Sequence, residues 1–173
     1  TGTGAGTFAT RHVGNGKAVT VTGYSLTGSE AGNYLIVQPT GLTANVTPAP
    51  LTVSTSSVNR VYDGTTNAAG TNVITSGSLF STDTLAGGTY SFVSKNVGSN
   101  VTVNVSGVSV NDGNGGNNYT LTQAPNNTSN ITPASLSVTG VTAANKVYDG
   151  TVAATLGGTA SVTPIGLDSV TVT

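Results

Sequence analysis

Two stretches decide how this chain is read: Lys146-Val147-Tyr148-Asp149-Gly150-Thr151 and Arg60-Val61-Tyr62-Asp63-Gly64-Thr65. Each follows a short run of alternating apolar residues, and each of those runs follows a Thr-Pro-Ala. One signal in two copies marks a repeat, and further anchors recur at nearly the same interval. Val13-Gly14 matches Val97-Gly98 at a shift of 84, and Asn33-Tyr34 matches Asn118-Tyr119 at 85. Val46-Thr47-Pro48-Ala49 matches Ile131-Thr132-Pro133-Ala134 at 85, and the Tyr-Asp-Gly copies lie 86 apart. The drift by single residues places small insertions in the loops between anchors, where they cost least.

The repeat is therefore about 85 residues long, the size of a small sandwich of short strands. Counted from Thr-Pro-Ala, the 173 residues divide into the late portion of a repeat (1–48), a complete repeat (49–133) and the early portion of another (134–173). Chain start and chain end then fall at nearly the same point of the period, so an alternative phase gives two units, 1–87 and 88–173.

Strand signals run throughout. Residues 18–22 (Ala-Val-Thr-Val-Thr) and 101–105 (Val-Thr-Val-Asn-Val) alternate with period two, as a strand with one buried face does. Leu51-Thr52-Val53 and Leu136-Ser137-Val138 repeat the pattern after each Thr-Pro-Ala. Residues 34–37, 42–46, 90–93 and 119–121 complete the predicted set. Val and Thr are β-branched and suit a pleated surface. No window of helical length carries apolar residues at three- and four-residue spacing. Asn15-Gly16, Asp63-Gly64, Asp112-Gly113 and Asp149-Gly150 predict tight type I′ turns. The expected architecture is all-β: tandem, elongated, small Ig-like β-sandwich repeats.

Composition narrows the function classes. Only 6% of residues are charged, against about 25% in an average domain, and the net charge is −1. With no basic patch to hold a phosphate backbone, nucleic acid is not an expected partner. No apolar run approaches the length of a membrane-spanning helix, so membrane insertion is not expected either. Solubility rests on Thr, Ser and Asn, which predicts a stability that changes little with salt. There is no Cys, Met or Trp. Without disulfides, a Thr/Asn/Gly-rich chain of this size suits a long bacterial surface protein, which sets an extracellular localisation as the expectation.

Candidate chemistry is sparse. In Tyr62-Asp63-Gly64 and Tyr148-Asp149-Gly150 the Asp-Gly pair reads as a turn, with Tyr packing inward and its hydroxyl on a polar partner. Arg60 and Asp63, and again Lys146 and Asp149, are placed to pair across that turn. Residues 111–118 (Asn-Asp-Gly-Asn-Gly-Gly-Asn-Asn) offer several oxygens to calcium but a single carboxylate, Asp112, whereas calcium takes six to eight oxygens and usually several carboxylates. Asp112 is thus a weak calcium candidate, and no cofactor is expected. His12 is the one histidine and there is no cysteine, too few ligands for zinc. No nucleophile elbow occurs and the six acids look scattered, so no catalytic residue is assigned and no enzyme is expected.

At this point the residues carry a resemblance. Lys-Val-Tyr-Asp-Gly-Thr at 146–151, Lys-Asn-Val-Gly at 95–98, Gly-Lys-Ala-Val-Thr-Val-Thr-Gly at 16–23, Ala-Gly-Asn-Tyr at 31–34 and Ile-Thr-Pro-Ala at 131–134 together resemble the YDG repeats, and the related mostly-bacterial Ig-like repeats, of large bacterial surface proteins. The likeness spans the chain. It implies repeats of secreted, filamentous-haemagglutinin-like adhesins exported by two-partner secretion, where such repeats serve as stalk or spacer, and it implies no catalytic residue. Arg60 for Lys146, Arg11-His12 for Lys95-Asn96 and Asn117 for Gly32 are departures at positions expected to be exposed.

The first expectation is therefore a structural stalk whose partners are neighbouring repeats. Two alternatives stand beside it. One is a filament subunit joining other copies head to tail through sheet edges. The other is an adhesion module for a glycan or protein on a host cell, with Tyr24, which aligns with Val108, as the aromatic to watch.

Overall fold

The computed structural model describes residues 3–173 and is all-β, with no α-helix among them. Twelve strands follow one another: β1 (Ala5–Phe8), β2 (Gly14–Thr22), β3 (Thr43–Val46), β4 (Ala49–Thr55), β5 (Asn59–Val61), β6 (Asn72–Ser76), β7 (Thr84–Phe92), β8 (Gly98–Asn111), β9 (Tyr119–Gln123), β10 (Asn126–Thr132), β11 (Thr139–Ala143) and β12 (Leu156–Ser161). A 3₁₀ turn covers Ala31–Asn33.

These strands build two compact units, each assembled from separated stretches of chain. The first comprises the chain up to Ser54 with Asn72–Gly88 and Gly107–Ala124. It holds one sheet in the order β1-β2-β3 and another in the order β6-β4-β9. β4 pairs with β9 in parallel, placing Ala49 opposite Tyr119, Leu51 opposite Leu121 and Val53 opposite Gln123. Leu51, Val53, Val108, Val110 and Tyr119 are its buried apolar residues. The alternation read at 18–22 lies in β2, which pairs antiparallel with both β1 and β3. Asn15-Gly16 is not a hairpin turn. It sits inside β2 at a register irregularity, with Gly16 at φ +59° and its N–H donated to Asn45 Oδ1.

The second unit comprises Thr55–Thr71, Thr89–Ser106 and Pro125–Thr173. Its main sheet runs β5-β10-β8-β7, and β11-β12 form a separate hairpin. β10 pairs in parallel with β5 and antiparallel with β8. Val58, Phe92, Val103 and Ile131 form its buried cluster, with Tyr62, Ala68, Tyr90 and Val101 packed around it. Ser129 is buried beside this cluster, where its hydroxyl accepts the Val58 N–H at 2.9 Å and donates to Asn126 Oδ1 at 2.9 Å. In the β11-β12 hairpin the backbones come so close that a Cβ on Gly158 would lie 2.1 Å from the carbonyl oxygen of Gly140. Both glycines have positive φ, so no larger residue fits either position.

Two predicted strands do not form. Residues 34–37 and 136–138 are outside any sheet, although their repeat equivalents lie in β9 and β4. The reason is pairing. β4 and β9 lie about 70 residues apart and bond to each other, as parallel strands joined by a long crossover do. Residues 136–138 would need a β9 one period later, and residues 34–37 a β4 one period earlier. Neither position exists in residues 1–173.

Candidate functional site

The two Tyr-Asp-Gly turns share one geometry. Asp63 Oδ1 accepts the N–H of Thr65 at 2.9 Å and its hydroxyl at 2.9 Å. Asp149 Oδ1 does the same with Thr151, again at 2.9 Å for both. Arg60 pairs with Asp63 and donates to Thr65 Oγ1 at 3.1 Å. Lys146 lies 2.8 Å from Asp149 Oδ1 and donates at 2.9 Å to Thr151 Oγ1 and to the carbonyls of Thr151 and Ala153. The charge pairs expected from sequence are therefore present, each closed into a ring by the threonine. The turn type differs from expectation. Gly64 (φ +79°) and Gly150 (φ +73°) are left-handed, but Ser81 and Asn100 are the only non-glycine residues at positive φ among those described. A type I′ turn needs both central residues there. These are instead Asx-type turns, in which the aspartate side chain bonds the backbone two residues on. The Thr65 N–H holds the Asp63 carboxyl below its ordinary range, and Lys146, then Thr151, does so for Asp149. Both carboxylates hold their turn through Oδ1.

The two tyrosines part company. Tyr62 is half-buried and donates to Asp168 Oδ2 at 2.5 Å, while Lys95 Nζ donates to Asp168 Oδ1 at 2.7 Å and sits 5.7 Å from the Tyr62 ring centroid. Lys95, then Tyr62, pulls the Asp168 carboxyl below its usual range, and the same carboxylate raises the Lys95 ammonium. Tyr148 is 94% exposed, and no partner for its hydroxyl occurs among the described residues. Inward packing of the Tyr-Asp-Gly tyrosine thus holds at Tyr62 and not at Tyr148.

A second cluster of the same make lies in the first unit. Tyr119 donates to Asp83 Oδ2 at 2.7 Å and Arg11 to Asp83 Oδ1 at 2.8 Å. The Tyr119 hydroxyl also accepts the Phe80 N–H at 2.8 Å, and the two rings stack with centroids 6.3 Å apart. The Tyr119 hydroxyl, then Arg11, holds the Asp83 carboxyl low, and burial pushes the Tyr119 phenol up. Asp83 and Asp168 stand 85 residues apart, and Arg11 and Lys95 stand 84 apart. The two carboxylates are therefore repeat equivalents, as are the two cations. Reading the acids as scattered missed this. The signal was available in Asp83-Thr84-Leu85 and Asp168-Ser169-Val170, each an aspartate opening an alternating run.

Asp112 is 2% exposed. Its Oδ1 accepts the N–H groups of Asn114 (2.7 Å) and Gly116 (2.8 Å), and its Oδ2 that of Asn118 (2.9 Å). Burial opposes its charged form, and these three backbone donors outweigh that and keep the carboxyl ionised below the usual range. A calcium ion would have to displace them, so the geometry is that of a loop folded around its own carboxylate. Asn118 extends the network, accepting the Val13 N–H at 3.0 Å and lying 3.1 Å from His12 Nδ1. Among the described residues no three His, Cys, Asp or Glu side chains gather as metal ligands would.

An all-β chain whose recurring motif is a structural turn belongs with the β-repeat proteins. The YDG domain family model matches residues 1–41, 47–128 and 132–173, and the chain belongs to that family. Neither a curated protein nor a solved structure is matched.

Proposed function

We propose that this YDG segment is a non-catalytic stalk or spacer within a secreted bacterial surface adhesin, and that it works outside the cell. One observation carries the reading. In both copies of the recurring motif the cation, aspartate and threonine hold the turn, and each further aspartate cluster holds backbone or neighbouring side chains in place. Asp83, Asp168 and Asp112 have both carboxylate oxygens engaged from within the chain, and Asp63 and Asp149 each have Oδ1 engaged. A site for chemistry needs groups free to act on something else, whereas a spacer needs turns and junctions that keep their shape.

The adhesion-module alternative has less support. Tyr24 is tied into the fold: Gln38 accepts its N–H at 3.2 Å and donates to its carbonyl at 2.8 Å, and its ring covers Gly4. The test is labelling of intact, unpermeabilised cells of the producing organism with antibody to residues 1–173, paired with a glycan array probed with the same segment. Surface labelling and a blank array are expected. Labelling only after permeabilisation would overturn the reading, and saturable binding to one glycan class would replace it with the adhesion module.

A further inference from the structure

Asn15-Gly16 and Asn114-Gly115 are the two Asn-Gly pairs in the sequence, and the fold treats them in opposite ways. An asparagine followed by glycine is open to attack on its side-chain carbonyl by the next main-chain nitrogen, because glycine has no Cβ to crowd that nitrogen. Asn114 is locked against this. It is half-buried, its N–H is donated to Asp112 Oδ1 at 2.7 Å, and its Nδ2 donates to Asn118 Oδ1 at 3.0 Å. Its carbonyl accepts the Asn117 N–H at 3.2 Å and Asn117 Nδ2 at 2.6 Å. Asn15 is exposed, and its side chain makes no hydrogen bond among the described residues. The pair falls in the register break of β2, between Gly14 opposite Val46 and Lys17 opposite Ala44, and β1 reaches along β2 only to Val19. The space around Gly16 is open, for a Cβ there would meet nothing within 4 Å. One restraint remains: the Gly16 N–H is donated to Asn45 Oδ1 at 2.8 Å.

The openness belongs to this position of the fold. One period on, Ser99 and Asn100 stand for Asn15 and Gly16, and both are exposed although β10 and β5 lie beyond β8 there. The Asn100 N–H is donated to Asn130 Oδ1 at 3.0 Å, and Asn130 is the equivalent of Asn45. The guarding asparagine therefore recurs, but Ser99 has no amide to lose.

We propose that Asn15 is a site of spontaneous deamidation, and that Asn45 guards it by holding the Gly16 N–H. The Gly16 nitrogen gives its proton to solvent and attacks Asn15 Cγ. The new N–Cγ bond closes a five-membered imide, the Cγ–Nδ2 bond breaks, and ammonia leaves with a proton from water. Water then opens the imide at one carbonyl or the other, leaving aspartate or isoaspartate. The balance is one water consumed and one ammonia released, with no change of oxidation state. Each event lowers the net charge of −1 by one, and isoaspartate adds a carbon to the main chain inside the bulge. The Asn45 bond slows the first step, since it stabilises the N–H that must be given up and aims it at β3. The Asp-Gly pairs are protected differently. Aspartate must be neutral to lose water in the same reaction, and Asp63, Asp112 and Asp149 are all held ionised with Oδ1 bonded.

The test is incubation of the purified chain at mildly alkaline pH, with peptide mapping by mass spectrometry to follow the exchange of –NH2 for –OH at each asparagine. Asn15 should convert about tenfold or more faster than Asn114 in the folded chain, and the two should converge in urea, where the fold's restraints are gone. Asn45→Ala should speed conversion at Asn15 about fivefold, the ordinary net worth of one hydrogen bond. Asn45→Asp keeps an acceptor oxygen and should not speed it. Circular dichroism checks that each variant is folded, and Asn45→Val, which also lacks an acceptor but suits a strand, serves if Asn45→Ala is not. Conversion at Asn114 as fast as at Asn15 in the folded chain, or an Asn15 left intact while the urea-treated chain converts, would overturn the site. An unchanged rate at Asn15 in the folded variant without the acceptor would overturn the guard.

Discussion

The core of the second unit gives the sharpest prediction, because the repeat supplies its own control. Ile131 is 1% exposed and packs with Val58, Phe92 and Val103. Ile131→Ala removes three carbons, which at about 0.8 kcal/mol each is a transfer loss of about 2.5 kcal/mol. The cavity left behind adds about 24 cal/mol per Å³ that fails to collapse, so a total of about 3–4 kcal/mol is expected. Val46 is the repeat equivalent of Ile131, in the same Thr-Pro-Ala context, but it is only half-buried. Val46→Ala removes two carbons that are already part-wetted, and should lose less than about 1 kcal/mol. Both changes trade a β-branched residue for alanine at a strand end, so the strand-propensity term is shared and the difference reports burial. The assay is equilibrium urea unfolding followed by far-UV circular dichroism. With m about 1–3 kcal/mol per M, Ile131→Ala should move its midpoint by about 1–4 M and Val46→Ala by a small fraction of that. Equal shifts, or a loss under about 1 kcal/mol for Ile131→Ala, would refute the placement of the core.

Three further outcomes follow from the same geometry. Ser129→Ala strips the buried Val58 N–H of its acceptor and should destabilise by about 1–3 kcal/mol, checked by the same unfolding curves. Gly77→Ala should cost more than about 2 kcal/mol, since φ is +81° and the new Cβ would lie 2.3 Å from the Pro50 carbonyl oxygen. Gly16→Ala, at φ +59° with nothing within 4 Å, should cost only the left-handed penalty of about 1 kcal/mol, and thermal unfolding distinguishes the two. Asp83, Asp112 and Asp168 all have folded pKa values below the ordinary 3.8, so their contribution is complete above that value and lost as pH falls through the folded ones. Lys95 is raised above 10.5, so its contribution is complete below that value and lost only as pH rises past it. Stability measured against pH should therefore be flat between about 5 and 9 and fall below about 4, and a decline starting near 6 would contradict the assignment.

The sequence specified which residues alternate, and alternation specifies a face but not a partner. That is why residues 18–22 and 101–105 were read as strands and lie in β2 and β8. Residues 34–37 and 136–138 carry the same local signal, and no ladder forms there because the pairing is parallel and about a whole repeat distant. The turns failed in a different way. An Asp-Gly pair serves a type I′ turn or an Asx turn equally well, and the discriminator was the residue after it. Thr65 and Thr151 each offer both an N–H and a hydroxyl to the aspartate, which fixes the aspartate outside the left-handed region.

The aspartate clusters show where linear reading stops. In chain order Asp83 and Asp168 are lone acids. Folded, each joins a cation and a tyrosine, and the tyrosine comes from a different motif in each case: Asn118-Tyr119 at Asp83, Tyr62-Asp63-Gly64 at Asp168. The repeat makes those two tyrosines alternatives for one kind of carboxylate. It follows that what separates half-buried Tyr62 from exposed Tyr148 is nothing in the six-residue stretches that hold them, which differ by Arg60 for Lys146 alone. What the structure shows for Tyr62 is Asp168, 106 residues further along, within reach of its hydroxyl. The motif's turn closes on its own residues in both copies, and its tyrosine packs inward where a carboxylate from a distant part of the chain meets the hydroxyl, as Asp168 meets Tyr62.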